Sequence, residues 1–258
     1  MNSKPEISYF GLQAYVGTTK HLGGFETTRK LVELCRIPQA RNVLEIGCGV
    51  GATTCYLARE YDCRIVGVDI RESMIARCHE RAHREGVADK VEFRVADAQD
   101  LPFEDAQFDV VFCESVVTFI EDKQEVASEF ARVVKPGGYV GLNEEIWLKP
   151  PRPGLAEQIG RMWDVEPEIP TAAGWHALLE AAGLQDLVVQ TYTFDARREA
   201  SQLQRYRPGD TWRMLCRTLG LYLSSPEFRD YMKSRRRLPK DTFEYLGYAL
   251  FAGQKRPG

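Results

Sequence analysis

Long apolar runs are missing from this sequence. None approaches the ~20 residues that cross a bilayer as a helix, so no membrane span is predicted. The first residues, Met1-Asn2-Ser3-Lys4-Pro5-Glu6, lack the apolar core of a secretion signal, and none is expected there. C-x-x-C pairs are missing as well. The seven cysteines (Cys35, Cys48, Cys55, Cys63, Cys78, Cys113 and Cys216) are odd in number, and several sit in apolar runs such as Val111-Phe112-Cys113. That excludes a disulfide framework or a zinc cluster and points to reduced, buried thiols in a cytoplasmic protein with no metal site. Internal repeats and low-complexity tracts are also absent, which excludes solenoids and disordered arrays.

What is present fits an ordinary globular chain. Of 258 residues, 44% are hydrophobic and 28% charged, enough for one α/β domain with additions or at most two small domains. The net charge of −3 hides an asymmetry. Residues 196–258 hold 14 Lys/Arg and 6 Asp/Glu, hence +8, which leaves −11 for the rest. Solvated helix faces are the commoner reason for such a block, and a partner surface is the other.

Apolar periodicity orders the chain. The first ~40 residues read as amphipathic helix broken at Gly23-Gly24. Asn42-Val43-Leu44-Glu45-Ile46 is a short apolar strand, followed by glycines and a helix over 52–61. A second strand, Arg64 to Val68, ends at Asp69, and a helix over 73–85 closes at Gly86. A third strand, Val91 to Val95, ends at Ala96-Asp97; a fourth covers Asp109 to Cys113, and a helix follows over 124–134. Pro136-Gly137-Gly138 reads as a turn before a fifth strand, Tyr139 to Asn143. Strands alternating with helices imply a parallel sheet covered on both faces. Beyond Asn143 the rhythm breaks. Helices are predicted over 155–163 and 171–182, the latter with Thr171 as N-cap and Gly183 as stop, then a strand over 187–194, a basic helical stretch over 197–237 and a last strand over 245–252.

The densest signal is Glu45-Ile46-Gly47-Cys48-Gly49-Val50-Gly51, between a strand and a helix. Glycines there permit a sharp turn and close approach of backbone to a ligand. Asp69 ends the next strand, where a carboxylate can accept from ribose hydroxyls. A dinucleotide fingerprint would space its glycines G-x-G-x-x-G, whereas here the third is Gly51 and Ala52 takes the usual place. A nucleoside sulfonium site fits better, with Glu45 available to a cationic amine-bearing ligand. Asp97 serves equally as a strand-end cap, and Asp69 as a cap for the helix near Ser73.

This motif resembles motif I of the class I S-adenosylmethionine-dependent methyltransferases. The resemblance runs from Val43 to Asn143, with Phe108-Asp109-Val110-Val111 similar to motif II and Val134-Lys135-Pro136-Gly137-Gly138 similar to the turn before strand five. It implies a Rossmann-like seven-stranded sheet in order 3-2-1-4-5-7-6 with strand seven antiparallel, the last two strands coming from 187–194 and 245–252. It implies S-adenosylmethionine as cofactor and S-adenosylhomocysteine as product. The residues it assigns to that ligand are Tyr15, Glu45, Gly47, Cys48, Gly49, Gly51, Asp69, Ile70, Met74, Asp97, Ala98 and Glu114. Ile70 and Ala98 would sandwich the adenine, and Asp97 would accept from its amino group. It also implies one domain: an N-terminal helical lid over 1–40, a cofactor core over 41–145 and an acceptor-side half over 146–258 with a helical insertion at about 197–240.

The segment Tyr15 to Thr28 is similar to the N-terminal cover of small-molecule methyltransferases, including phosphoethanolamine-type enzymes, which makes Tyr15 and His21 candidate contacts. Those enzymes carry a His after strand four; here the matching place is Phe119. No N-P-P-Y-like tetrapeptide follows strand four either, which disfavours adenine or glutamine amide as acceptor.

In-line transfer from a sulfonium asks mainly for alignment, with a base only if the nucleophile must lose a proton. Candidate bases are Glu114, Glu144, Glu145 and His21, and alternation along a strand predicts that one of Glu144 and Glu145 faces solvent. Trp147, Trp163, Trp175, Tyr192, Phe194, Tyr206 and Trp212 flank the expected acceptor side, suiting a planar, lipidic or cationic acceptor or plain core packing. The expected activity is methyl transfer to a small molecule by a cytoplasmic monomer or homodimer; nucleic acid is not the expected partner. One alternative is an RNA or protein acceptor held by Lys233 to Arg237; another is a non-catalytic cofactor-binding protein. The +8 block would favour an acidic acceptor.

Overall fold

The computed structural model describes residues 5–163, 168–234, 239 and 241–257. The elements, in chain order, are α1 (Tyr9–Val16), α2 (Gly24–Leu34), β1 (Asn42–Ile46), α3 (Ala52–Glu60), β2 (Arg64–Asp69), α4 (Glu72–Glu85), β3 (Val91–Val95), β4 (Phe108–Glu114), α5 (Lys123–Val133) and β5 (Val134–Trp147). They continue as α6 (Leu155–Trp163), α7 (Ala172–Ala181), β6 (Leu184–Tyr192), α8 (Ala196–Ala200), α9 (Pro208–Ser224), α10 (Pro226–Ser234), α11 (Thr242–Tyr245) and β7 (Leu246–Lys255). The seven strands form one sheet in the order β3-β2-β1-β4-β5-β7-β6, with β7 antiparallel to both neighbours. This is the expected order.

Strand alternation builds two apolar layers. In β1, Leu44 and Ile46 face one way and pack with Val126 and Phe130 of α5 and Trp175 and Leu179 of α7. Val43 faces the other way, with Leu31 of α2, Leu57 of α3 and Ile75 of α4. The parallel register sets Val43 between Ile65 and Val110, so the strand ends of β1, β2 and β4 open at one edge. Local chemistry fixes the helix starts: Ser8, Asp122 and Thr171 each accept a bond from a backbone N–H three residues on.

Several strand boundaries differ from expectation. Pro136-Gly137-Gly138 lies inside β5, which runs to Trp147 instead of stopping at Asn143. The register slips between Phe108 and Val110, and Asp109 there accepts from the N–H groups of Arg41 and Asn42 and from Lys135 Nζ, so the glycines form a bulge in a continuing strand. The long β7 supplies partners over the whole of 139–147, which keeps β5 extended past the parallel part of the sheet. β6 also starts earlier than expected, at Leu184 directly after Gly183.

The insertion between β6 and β7 divides in two. α8 and the 3-10 turn Ser201–Arg205 pack on α2, while α9 packs on α1 and α10 packs on α9. Its arginines are largely consumed internally. Arg205 is 2% exposed, Arg213 pairs with Asp210, and Arg217 donates to the carbonyls of Tyr15 and Val16. Arg235 to Arg237, the heart of the basic stretch, lie outside the described residues.

Candidate active site

A cavity of about 860 Å³ sits at the carboxyl edge of β1, β2 and β4. Its floor is the glycine loop. Gly47 and Gly49 have φ of +66° and +54°, and a Cβ on either would lie 2.2 Å from a methyl group, of Val116 in the first case and Thr19 in the second. Only glycine combines that backbone with that proximity. The loop is thereby roofed closely from both sides, by the segment after β4 and by the segment after α1.

The residues expected at a nucleoside end lie together. Asp69, Ile70, Met74, Asp97 and Ala98 all line the cavity. Asp69 Oδ2 accepts from Gly49 N at 3.0 Å and Oδ1 from Arg71 N at 2.9 Å, which aims the carboxylate across the loop. Burial raises its pKa while those two N–H groups pull it down. It caps the turn at Arg71 and still lines the cavity, so capping does not take it out of the wall. Ile70 is 65% exposed beside buried Met74 and Ala98, an apolar surface left open where a ring could rest. Asp97 Oδ1 accepts from Gln99 N at 3.0 Å.

Beneath the loop lies a fixed polar cluster. His21 Nδ1 is 2.9 Å from Glu114 Oε2, and both side chains are buried yet line the cavity. Thr28 Oγ1 donates to both Glu114 oxygens, at 2.9 and 3.1 Å. Asn143 Nδ2 donates to Leu22 O at 2.9 Å, holding the lid against β5. Burial and the Arg205 guanidinium push the His21 pKa down, against the upward pull of Glu114. Burial pushes Glu114 up, but His21, Arg205 and Thr28 outweigh it and hold its pKa below the usual value. The resulting state is a neutral imidazole that donates from Nδ1 to an ionised carboxylate, with the Nε2 lone pair left to accept a proton.

Five predicted residues do not line the cavity. Tyr15 lies off the wall because α1 turns about 100° per residue: Phe10 and Gln13 share the inward face and Tyr15 does not. Glu45 shares the face of Val43, and its buried carboxylate is hydrogen-bonded to Thr54 Oγ1; burial pushes its pKa up to about 8. Cys48 points away from the cavity, 3.8 Å from Cys78 Sγ, and burial raises its pKa well above the usual thiol value. Gly51 abuts Cys78 and opens α3. Glu144 spends its carboxylate on the turn after β4, accepting from Val116 N, Val117 N, Thr118 N and Thr118 Oγ1 at 2.8 to 3.1 Å. It fixes the path of that turn, so the candidate-base role for it is corrected.

Neither neighbour of that pair faces solvent. Glu145 is 4% exposed and lines the cavity, because β7 covers the edge that alternation alone would leave to water. Burial and the Glu144 charge push its pKa up to about 7. Its Oε2 has no hydrogen-bond partner among the described residues.

The N-terminal segment contributes Tyr9, Phe10 and Gln13 of α1, missed in the sequence because an eight-residue helix without polar motif carries no signal, and Thr19 and Lys20 from the loop beside His21. Phe10 packs edge-on to Phe119, and Phe119 to Trp163, at 5.6 and 5.5 Å between ring centres. Of the flanking aromatics, Trp163 and Phe194 reach the wall. Trp175 is core, Trp212 is 66% exposed on α9, and His176 pairs with Glu180 on the surface of α7. Among the described residues, the insertion reaches the cavity at its two ends, through Phe194, Asp195, Ala196 and Glu199 after β6 and through Phe243 before β7.

The sheet order, the glycine loop at its carboxyl edge and the acidic ends of β2 and β3 define the class I methyltransferase fold. Residues 44–142 match the family described as "Methyltransferase domain". It is 30% identical over 181 residues to phosphoethanolamine N-methyltransferase 1 of Arabidopsis thaliana, covering 70% of this chain and 35% of that one. It is 32% identical over 161 residues to the 27-O-demethylrifamycin SV methyltransferase of Amycolatopsis mediterranei, covering 61% and 59%. The chain thus spans about a third of the plant enzyme's length and under two thirds of the rifamycin enzyme's. Among solved structures, an S-adenosylmethionine-dependent methyltransferase from Geobacter sulfurreducens with bound S-adenosylhomocysteine superposes with a TM-score of 0.69 at 22% identity, over 98% of this chain and 100% of that one.

Proposed function

We propose that this protein transfers a methyl group from S-adenosylmethionine to a small-molecule acceptor, with His21 as the general base. The observation that carries the reading is one continuous cavity that joins the glycine loop, Asp69 and Asp97 to the His21–Glu114 pair. The residues present fit the cofactor. The glycine cradle is kept empty of side chain, Asp69 offers lone pairs beyond its two backbone bonds, and Ile70 and Ala98 offer apolar faces. When bound, the cofactor supplies an electrophilic methyl group on a sulfonium, already activated for in-line displacement.

The chain's part is alignment and proton removal. Gly47, Gly49 and Asp69 hold the nucleoside end. The lid helix α1 and the Phe10–Phe119–Trp163 contacts exclude water. Glu114 keeps the Nδ1–H tautomer of His21, and His21 Nε2 takes the proton that the acceptor loses. The surroundings support a reducing compartment, since six of the seven cysteines are buried free thiols. We therefore read the protein as a cytoplasmic monomer or homodimer that works as one domain, with 1–40 as lid and 146–258 as the acceptor side. An RNA or protein acceptor is not favoured, because the arginines of the insertion described above are engaged inside the protein and the ionisable side chains that its described residues bring to the cavity, Asp195 and Glu199, are acidic.

Calorimetry with S-adenosylhomocysteine tests the reading. Binding is expected, and Asp69→Ala should weaken it about tenfold to a hundredfold through lost charge-assisted bonds. No binding to folded wild-type protein would overturn it.

A further inference from the structure

We propose that the acceptor end of the cavity takes an apolar organic amine, its N–H groups bonding to the open oxygens of Glu145 and Glu199 and its body lying on Phe119, Trp163, Phe194 and Phe243. The inference rests on the methyltransferase reading and names the substrate class of the same site.

Two carboxylates that line the cavity, Glu145 and Glu199, each keep an oxygen without a partner among the described residues. Glu145 is 96% buried by its 4% exposure, and its Oε2 has no partner. Glu199 accepts from Gly23 N through Oε1 at 2.8 Å, while its Oε2 is buried and unpartnered. A buried acceptor without a donor is costly, and a buried carboxylate more so. Two carboxylates that line one cavity, each with an oxygen left unpartnered, call for a ligand that brings donors, and preferably positive charge.

The rest of the wall agrees. Lys20 and Arg71 are the only lysine and arginine among the described residues that line it. Arg71 is engaged at the nucleoside side, over the Phe10 ring and 3.6 Å from Glu6. Lys20 acts on Glu145 through space and makes no hydrogen bond to its Oε2. An anionic group placed here would meet Glu121, Glu145, Asp195 and Glu199. A phosphate, as on a phosphobase, therefore finds repulsion where it would need arginines. The remaining surface is aromatic and aliphatic, with Phe243 and Leu246 at one side, and it suits a hydrocarbon body next to a cation. No lysine or arginine among the described residues of the insertion lines this surface, so the acidic acceptor expected from composition gives way to a basic one.

The test uses the full chain saturated with S-adenosylhomocysteine and three probes in calorimetry: phenethylamine, phenethyl alcohol and phosphoethanolamine. The amine should bind at least about tenfold tighter than the alcohol, and phosphoethanolamine should bind weakest. Glu145→Gln should remove most of the preference for the amine while keeping the affinity for S-adenosylhomocysteine, which also reports folding. If that variant does not fold, Glu199→Gln carries the same comparison. Equal binding of amine and alcohol, no binding of the amine at its solubility limit, or tighter binding of phosphoethanolamine would overturn this proposal alone. Failure of folded wild-type protein to bind S-adenosylhomocysteine would instead overturn the methyltransferase reading beneath it.

Discussion

His21 and Glu114 show how two groups 93 positions apart set each other's state. Burial disfavours charge on both, and the hydrogen bond decides which of them keeps it. Because burial and Arg205 lower the His21 pKa, its lone pair persists below the ordinary value of 6.5. Activity should accordingly hold above neutrality and fall only on the acid side, with the acid limb of kcat/KM lying below 6.5. His21→Ala should lower kcat by about a hundredfold to ten-thousandfold, the usual range for a lost general base. A rate unchanged in that variant, or an acid limb above 6.5, would remove His21 from the mechanism. Glu45 makes a separate prediction about stability. Its pKa rises from 4.5 to about 8 on folding, so folding takes up a proton between those values. The native state then loses stability as pH climbs through that window, and the loss is complete above it. Glu45→Gln should therefore gain on wild type as pH rises from 5 to 9 in denaturant titrations, by a few kcal/mol at most, in line with ~1.4 kcal/mol per unit of pKa.

The lid illustrates how an element without strong propensity is placed by contacts. α1 is short and only weakly amphipathic, and alone it would not persist in water. It is held by Phe10 on Phe119, by Arg77 Nε donating to Ala14 O at 3.0 Å, and by Arg217 on the carbonyls of Tyr15 and Val16. Phe10→Ala should free the lid, raise the Kd for S-adenosylhomocysteine about tenfold and increase hydrogen exchange over 9–17, since one aromatic pair contributes about 1 kcal/mol beyond its buried area. Unchanged exchange there would mean the arginine contacts suffice. The strands behave differently. β1 to β4 were legible because each is a short run rich in branched or apolar residues, the first three closed by a nearby glycine or aspartate. The start of β5 differs from expectation, since Pro136-Gly137-Gly138 has turn chemistry and only the pairing of Val134 with Phe108 and of Tyr139 with Val110 on either side keeps it within one bulged strand.

The molecule is tied together by one buried arginine. Arg81 donates to Val50 O in the glycine loop, to Gly17 O at the lid hinge and to Glu85, and it pairs with Asp210 of α9 at 3.1 Å. Asp210 also holds Arg84 and Arg213. Cofactor loop, lid and insertion thus share one charge cluster. Arg81→Ala would leave Glu85 and Asp210 with less compensation in a buried setting, a loss of about 3–5 kcal/mol. Scanning calorimetry should show a Tm lower by roughly 10 °C, given 2–4 °C per kcal/mol at this size. A fall of only a degree or two would mean that the cluster is dispensable.

The amino-acid sequence by itself determined the parallel core, the strand order through its resemblance, the glycine loop and the acidic residues at the ends of β2 and β3. Those features are local: a strand, its turn and its terminal carboxylate lie within a few residues of one another. Only the tertiary structure decided which of Glu144 and Glu145 meets the cavity, that Glu45 turns to Thr54 and that Tyr15 faces away. It also decided that a basic insertion presents acidic Glu199 to the cavity. Each of these depends on packing between segments distant in sequence, where burial and a partner's register, set by β7, α8 and α9, choose the direction a side chain takes.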